Sequence, residues 1–503
     1  MSLEHYFSQF RQHIIGQNLQ HRINQQTLKI LYADWTASGR LYRPIEDYIT
    51  NHLGPYVANT HTEANLTGSV MTQAYHDAQQ IIKHHVNACD NDILITAGAG
   101  MTAVINKFQR ILGLRIPERV QNQVNFKVED KPVVFITHME HHSNQTSWYE
   151  CDVTLEIIQP NEQGLPSLDH LQALLSKYKN RQFKIGSFTA CSNVTGIKTP
   201  YYQLAEIMHQ HNGVCFVDFA CSAPYVDIDM HPLNPQQALD AIFFSPHKFL
   251  GGPGSSGVLI FNKSLYKNKV PDHPGGGTVT WTNPWGEHRF FNNIEVREDG
   301  GTPGFLQCIR TALAIKLKES MGVENIAKRE QELTEYIMTA LSENKQVVML
   351  EPNIRERLAI ISFYIPKLHY NLVVRLLNDK FGIQSRGGCS CAGTYGHILL
   401  NVDHDTSNKI TQKINQGDYA EKPGWIRISF HPTTTDAEAK YVVAAIKQIT
   451  EHALEWAKDY RFNPATGDFE HINNQVAFPD LDEFSPVPEN IDKKYSLLSR
   501  LWA

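Results

Sequence analysis

Short apolar segments alternate with longer amphipathic stretches between about residues 70 and 260. Each segment is strand-sized and rich in β-branched and aromatic residues, as buried strands usually are. The segments are 92–96, 132–137, 184–190, 214–218 and 241–245. Their alternation with helical patterns predicts βαβ units and a mostly parallel sheet. Open sheets of this kind bind ligands at the carboxyl ends of their strands, and several of these segments end in polar residues.

The second half of the chain follows a different pattern. Residues 271–304 are rich in Gly and Pro, and a helix of about thirty residues is predicted to begin at Leu306. Strands near 358–364 and 425–430, with a helix over 435–456, predict a smaller α+β domain.

These patterns divide the chain into four regions. They are a helical lead-in over 1–31, a large domain over 32–305, a connecting helix with the small domain over 306–460, and a tail over 461–503. Within the small domain, segment 394–424 is polar and lacks a clear period, so we predict a loop insertion there. The tail contains Pro, Asn and acidic residues, and we expect it to wrap the surface or to be partly disordered.

Composition narrows the function classes. The 503 residues are 42% hydrophobic and 19% charged, which is ordinary globular usage. The net charge of −6 offers no basic field for nucleic acid or an anionic membrane. The N-terminus lacks the basic and apolar regions of a secretory signal, and no apolar run has transmembrane length. Because eight cysteines over this length do not form a disulfide framework, we expect a cytoplasmic protein.

Two apolar strands end in chemically reactive residues. Asp218 ends Val-Cys-Phe-Val-Asp, and Lys248 follows Ala-Ile-Phe-Phe-Ser-Pro-His before a Gly-Gly turn. Burial lowers a lysine pKa, and a neutral amine can form a Schiff base. A carboxylate on a neighbouring strand is the partner that the pyridinium nitrogen of pyridoxal phosphate requires. The alternative is a buried Asp–Lys ion pair beside a glycine turn.

Three further strand ends carry polar residues. The Gly-rich turn in 95–106 precedes a helix and suits a phosphate, although a turn without a ligand fits equally well. His141, in Met-Glu-His-His-Ser-Asn, can stack on a planar ring or shuttle protons, or it can be an ordinary histidine. Asn193 can bind a phenolic oxygen or form an Asx-turn.

A glycine-rich loop over 384–393 contains a guanidinium and two thiols, in the order Arg386, Cys389, Cys391. Such loops are exposed, and a nearby cation favours the reactive thiolate. The alternatives are a regulatory Cys389–Cys391 disulfide and half of a zinc site. No second pair with zinc spacing accompanies the two thiols, so we expect no metal.

Taken together, these segments resemble the class V aminotransferase family of fold-type I pyridoxal phosphate enzymes, over about residues 32–445. Group II cysteine desulfurases and selenocysteine lyases are the most similar members. The residues that carry the resemblance are Asp218, Ser245-x-His247-Lys248 and Arg386 to Cys391-Ala392. The resemblance implies a large cofactor-binding domain with a mostly parallel seven-stranded sheet and a smaller α+β C-terminal domain.

The resemblance also implies roles for particular residues. Lys248 would bind pyridoxal 5'-phosphate covalently, Asp218 would pair with its pyridinium nitrogen, His141 would stack on the ring and Asn193 would bind the phenolic oxygen. The phosphate would be held by Gly100, Met101, Thr102, Ser245 and His247. In this family a turn like Gly275-Gly276-Gly277-Thr278 reaches the phosphate of a partner subunit, which implies a homodimer.

The implied activity is cysteine desulfuration. Arg427, with Arg386, would bind the carboxylate of an amino acid substrate, and Cys391 would receive sulfur as a persulfide and pass it to a sulfur-acceptor protein. The alternatives are another class V reaction (selenocysteine lyase, aminotransferase, epimerase or kynureninase-like) and a persulfide-carrying scaffold without turnover. Two positions differ from the family pattern, because Cys389 and Cys221 stand where many members carry other residues.

Overall fold

The computed structural model describes residues 2–24, 26–60, 62–121, 123, 127–473 and 481–486. The helices are α1 Leu3–Arg11, α2 Arg43–Asp47, α3 Leu66–His85, α4 Met101–Ile111, α5 Glu118–Gln121, α6 His142–Tyr149, α7 Leu168–Lys177, α8 Tyr201–Gln210, α9 Ile294–Glu298, α10 Phe305–Met321, α11 Val323–Ser342, α12 Tyr370–Phe381, α13 Gly393–Leu399, α14 His404–Asn415 and α15 Asp436–Trp456. The strands are β1 Gln20–Ile23, β2 Gln26–Lys29, β3 Leu31–Tyr32, β4 Asp92–Ala97, β5 Val133–Thr137, β6 Thr154–Ile158, β7 Lys184–Thr189, β8 Val214–Asp218, β9 Ala241–Phe244, β10 Gly257–Asn262, β11 Val279–Thr282, β12 His288–Phe290, β13 Val348–Met349, β14 Ile360–Tyr364, β15 Ile383–Gln384, β16 Arg386–Gly388, β17 Trp425–Ser429, β18 Tyr460–Asn463 and β19 Asp468–His471.

The central sheet has seven strands in the order β4-β10-β9-β8-β7-β5-β6. Strand β10 runs antiparallel to both of its neighbours, and the pairs from β9 to β6 are parallel. Every residue of β5, β7 and β9 is buried. Continuous apolar runs suit such strands because helices cover both faces of a parallel sheet. The predicted mostly parallel, seven-stranded α/β sheet is confirmed.

Adjacent residues of the central strands pack on opposite faces of the sheet. Phe243 contributes to a cluster with residues of α4 and α6, whereas Phe244 belongs to a cluster with residues of α3, α7, α8 and α10. This alternation follows from the two-residue period of a strand. The two helical layers hold the strand ends of the central sheet in fixed positions.

A second, four-stranded antiparallel sheet has the order β13-β14-β17-β16. Its apolar face packs with residues of α11, α12 and α15 in a separate buried cluster. The predicted strands near 358–364 and 425–430 and the predicted helix over 435–456 correspond to β14, β17 and α15. Helix α15 begins with a capping box formed by Thr435 and Glu438.

The prediction of a loop over 394–424 is wrong, because most of this segment forms α13 and α14. Helix α14 has no buried residue, and its apolar side is limited to Ile410 and Ile414, a stripe too narrow for the helix to be recognised from the sequence. The single helix predicted from Leu306 is likewise two helices, α10 and α11. They meet at Gly322, whose φ of +74° ends a helix and favours glycine.

Both ends of the chain contain hairpins that the sequence analysis did not predict. The lead-in over 1–31 contains α1, but β1 and β2 pair within it and β3 pairs in parallel with β15. At the other end, β18 and β19 form a hairpin against α12. The rest of the predicted tail, over 474–480 and 487–503, lies outside the described residues. Among the described helices, none combines the length and the apolar character needed to cross a bilayer.

Candidate active site

A cavity of about 840 Å³ opens where the carboxyl ends of the parallel strands meet the four-stranded sheet. All but one of the predicted site residues line it. These are Gly100, Met101, Thr102, His141, Asn193, Asp218, Ser245, His247, Lys248, Arg386, Cys391 and Arg427. Sequence positions up to 327 residues apart, from Gly100 to Arg427, therefore meet in one cavity.

Lys248 ends a short 3₁₀ turn that directly follows β9. A Cβ at Gly252 would lie 1.8 Å from the carbonyl oxygen of Pro246, so this turn requires glycine there. Burial lowers the pKa of the Lys248 amine, although the nearby Cys221 and Asp218 oppose the shift. A lysine in this setting is more readily deprotonated and becomes a better nucleophile.

Asp218 is the last residue of β8, and its side chain is 3% exposed. Its Oδ1 accepts a hydrogen bond from the amide of Ala220 at 2.8 Å. Burial raises the pKa of Asp218 to about 6, while the Ala220 amide and the Lys248 charge act against that rise. A cationic partner placed on this carboxylate would restore its ionised form.

His141 is the N-cap residue of α6. Its Nδ1 accepts a hydrogen bond from the Ser143 amide at 3.1 Å, which leaves the proton of the neutral ring on Nε2. Burial lowers the pKa of His141 to about 3, and the Lys248 charge adds to the effect. The ring is therefore neutral and lines the cavity, and a neutral ring there suits stacking on an aromatic ligand.

The start of α4 forms an anion cradle. The Met101 amide donates to Ser245 Oγ at 2.8 Å, and Thr102 Oγ1 lies 2.6 Å from Ser143 Oγ. A Cβ at Gly100 would lie only 3.0 Å from Ser245 Oγ and 3.4 Å from the His247 ring, so glycine keeps this space open. A helix start with nearby hydroxyls suits a phosphate, although the Met101 amide already donates to Ser245.

Two arginines share one carboxylate at the opposite wall. Arg427 Nη2 contacts Asp34 Oδ1 at 2.7 Å, and Arg386 Nε contacts Asp34 Oδ2 at 3.0 Å. Arg427 Nη1 also donates to the Asn193 carbonyl at 3.0 Å, yet its buried Nε has no hydrogen-bond partner among the described residues. Asp34 was missed in the sequence analysis; its position directly after a short apolar segment was the available signal.

Among the described residues, only one of the two polar side-chain atoms of Asn193 has a hydrogen-bond partner. Its Nδ2 already donates to the Ser390 carbonyl at 2.7 Å. Its buried Oδ1 is the free atom, with no hydrogen-bond partner in the described part of the chain. A cavity ligand would therefore meet Asn193 through an acceptor oxygen and would need a donor there, unless the amide turns over.

The loop that carries Cys391 is attached to the central domain by several hydrogen bonds. The carbonyl of Cys391 accepts from the His142 amide at 2.8 Å, and the Gly393 amide donates to His142 Nε2 at 2.9 Å. Ser390 and Cys391 have φ values of +51° and +58°, a left-handed conformation that turns the chain sharply. Cys391 is exposed and lines the cavity, whereas Cys389 lines a separate apolar pocket beside α13 and α14.

Two buried thiols at the cavity floor were not predicted as a pair. Cys191 and Cys221 both line the cavity, and the two Sγ atoms lie 3.6 and 3.7 Å from the Ser192 carbonyl oxygen. Burial raises the pKa of the Cys191 thiol, which keeps it protonated. Cys191 follows β7 and Cys221 follows β8, so the parallel register of these neighbouring strands brings them together.

Thr278 is the predicted site residue that does not line the cavity of its own chain. It is buried inside the turn, where its hydroxyl donates to the Gly275 carbonyl at 2.6 Å. Gly276 is exposed, and a Cβ built on it would meet no atom of the described chain within 4 Å.

Comparison with known proteins identifies the class. The sequence model of aminotransferase class-V matches residues 31–442, so the chain belongs to that family. A probable cysteine desulfurase of Halalkalibacterium halodurans is 27% identical over 367 residues, covering 72% of this chain and 84% of that protein. A probable cysteine desulfurase of Staphylococcus epidermidis is 28% identical over 381 residues, covering 74% of this chain and 85% of its own.

Solved structures show the same fold. The apo cysteine desulfurase of Thermococcus onnurineus superposes with a TM-score of 0.69 at 20% identity, covering 88% of this chain and 98% of its own. The cysteine desulfurase CsdA of Escherichia coli superposes with a TM-score of 0.68 at 20% identity, covering 90% of this chain and 98% of its own. The fold is therefore that of fold-type I pyridoxal phosphate enzymes, as the sequence predicted.

The depressed pKa of His141 gives a testable pH dependence. A histidine has an ordinary pKa of about 6.5 in the unfolded chain, so below that value the unfolded state takes up a proton that folded His141, with a pKa of about 3, refuses. The contribution of neutral His141 to the free energy of unfolding is thus fully present above pH 6.5 and is lost as the pH falls toward 3. When the pH is lowered from 6.5 to 4.5, we expect the free energy of unfolding to fall by about 1–2 kcal/mol less in His141→Asn than in the parent. Asparagine preserves the N-cap of α6. Urea unfolding at both pH values measures this, and equal losses would contradict the assignment.

Proposed function

We propose that this chain is a pyridoxal phosphate-dependent cysteine desulfurase that converts L-cysteine to L-alanine and receives the sulfur on Cys391. The observation that carries the proposal is that the exposed Cys391 thiol and the Lys248 amine line one cavity. The names of the relatives support the same activity, since both sequence relatives are called probable cysteine desulfurases.

The cavity fits pyridoxal phosphate at both ends. The α4 start, with Gly100 and Ser245, would hold the phosphate, and the buried Asp218 would hold the pyridinium nitrogen. His141 would lie on the ring face, and Lys248 would attach the cofactor covalently. The bound cofactor supplies an electron sink that labilises the bonds at the substrate Cα.

The residues of the chain perform the remaining steps. Arg427 binds the substrate carboxylate through its unpaired Nε, and Asp34 holds the guanidinium in orientation. Lys248 takes the Cα proton, since burial favours its neutral form. Cys391 Sγ attacks the substrate sulfur as the Cβ–Sγ bond breaks, so a persulfide forms on Cys391 and the electron pair of the broken bond stays with the carbon skeleton. The skeleton takes up protons at Cβ and, from Lys248, at Cα, and it leaves as alanine.

The proposal includes a homodimer with shared sites and a sulfur-acceptor protein as the final recipient. The exposed Gly275–Gly276 backbone would approach the phosphate held by the partner subunit, as the family resemblance implies. The exposed position of Cys391 supports transfer of its persulfide to another protein.

The first test measures alanine release from L-cysteine by the cofactor-loaded protein in the presence of a reductant. We expect Cys391→Ala to lower the rate at least about 100-fold, because the attacking nucleophile is gone. The matched control is Cys389→Ala in the same loop, which should retain the parent rate within about threefold. An unchanged rate in Cys391→Ala would disprove the sulfur-acceptor role. Failure of the parent to release alanine, with an amino-acid-induced change in cofactor absorbance, would favour another class V reaction.

A second prediction concerns the two arginines. Arg427→Lys should raise the KM for cysteine about 10- to 100-fold, because a lysine amine cannot keep the contacts of both Nη atoms to Asp34 and Asn193 and also present a donor at the position of Nε. Arg386→Lys should raise it less, since the Arg386 side chain is 48% exposed whereas that of Arg427 is 3% exposed. Steady-state kinetics on both variants decide this, and the reverse order would assign the substrate carboxylate to Arg386.

A third prediction tests the shared site. Gly276→Asp should fold normally because its Cβ has free space within the chain, but a carboxylate near the partner's phosphate should lower cofactor retention about 10-fold or more. Gly276→Ala is the neutral control. Sedimentation of the parent should give twice the chain mass; a monomer, or equal cofactor retention in both variants, would contradict a shared site.

A further inference from the structure

A cluster of potential metal ligands lies at the edge of the central sheet opposite the active-site cavity. Cys89 lies in the turn between α3 and β4, Asp92 is the residue that follows this turn, and His231 belongs to the loop between β8 and β9. Asp92 begins β4, whereas the Gly98–Gly100 turn after the strand lines the cavity. Since a strand rises about 3.3 Å per residue, the cluster is roughly 17 Å or more from the cavity.

The three ligand-type atoms are already close together. One potential ligand atom each from Cys89, Asp92 and His231 lies within 4.8 Å of the other two. His231 Nε2 is 2.6 Å from Asp92 Oδ2, and the Cys89 amide donates to the same oxygen at 2.8 Å. Zinc bond lengths in a tetrahedron place ligand atoms about 3.3–3.6 Å apart. Side-chain movements of about an ångström would therefore be enough to admit the ion.

A second observation points to a ligand. The Asp92 side chain is fully buried, yet its Oδ1 has no hydrogen-bond partner among the described residues. Buried carboxylate oxygens are normally satisfied by a donor or a cation. Cys89 is exposed and the His231 side chain is 32% exposed, so an ion can enter from solvent and can retain a water ligand.

The loops around the cluster are held by hydrogen bonds that do not involve the ligand atoms. Asp229 Oδ1 accepts from the His231 amide at 2.9 Å and from Asn87 Nδ2 at 2.7 Å. The Met230 amide donates to the Val86 carbonyl at 3.0 Å. Such supporting bonds fix the positions of the ligands before the metal binds, which lowers the entropic cost of binding.

We propose that Cys89, Asp92 and His231 bind a zinc ion, with water as the fourth ligand. A thiolate and an imidazole select zinc over magnesium and calcium, which prefer all-oxygen sites. On binding, Cys89 releases its thiol proton to solvent, His231 loses the Nε2 proton of its hydrogen bond to Asp92 and keeps a proton on Nδ1 alone, and that hydrogen bond is replaced by two bonds to the metal. The ion links the α3–β4 turn to the β8–β9 loop, so its role is structural. The site is independent of the proposed desulfurase chemistry.

The experiment uses cobalt(II) as a spectroscopic probe and zinc as its competitor, on the cofactor-loaded protein. Because the Cys389–Cys391 loop could also bind metal, the titration is run in a Cys389→Ser/Cys391→Ser background. We expect one equivalent of cobalt with thiolate-to-metal absorption, displaced by one equivalent of zinc. In the same background, Cys89→Ser should abolish that absorption, and His231→Gln should weaken binding at least about 100-fold.

Thermal unfolding provides an independent readout. Zinc should raise the melting temperature of the parent by about 2 °C or more over the value in chelator, and it should leave Cys89→Ser unchanged. Cys89 is exposed, so its replacement by serine is not expected to impair folding. Absence of cobalt binding in the background protein, or equal binding after Cys89→Ser and His231→Gln, would overturn the proposal. Alanine release should be unaffected by Cys89→Ser whichever way the metal result falls.

Discussion

The geometry of the active site depends on the contacts of the Arg427 guanidinium. This guanidinium projects from β17 of the four-stranded sheet, donates to the Asn193 carbonyl beyond the end of β7, and pairs with Asp34 beside β3. One buried cation thus joins the two sheets and the N-terminal segment across the cavity wall. A charge with 3% exposure requires compensation, and Asp34 provides it without occupying every donor.

The donors and acceptors left over explain why this cavity is a site rather than a packed interface. Arg427 Nε and Asn193 Oδ1 are buried and lack partners among the described residues, which is costly unless a ligand completes them. Burial likewise disfavours the ionised forms of both Lys248 and Asp218. A ligand with a carbonyl carbon and a basic ring nitrogen would match Lys248 and Asp218, and a carboxylate would match Arg427 Nε.

The position of Cys391 depends on backbone conformation as much as on contacts. Consecutive left-handed residues at Ser390 and Cys391 reverse the chain after β16, and His142 holds the reversed segment from both sides. As a result Cys391 lines the large cavity, whereas Cys389 lines the apolar pocket beside α13 and α14.

The sequence alone predicted a mostly parallel sheet and five of its strands, because buried strands are continuous apolar runs. The family resemblance supplied the number of strands and the roles of most cavity residues, and only the structure showed β6, β10 and the strand order. The sequence did not reveal α14, whose apolar side consists of Ile410 and Ile414 alone, or the break at Gly322, where helical periodicity continues on both sides. The pairing of Asp34 with Arg427, of Cys191 with Cys221, and of Cys89 and Asp92 with His231 was decided only by tertiary structure. Each joins residues from separate strands or loops, and such contacts follow from the packing of the whole chain rather than from any local pattern.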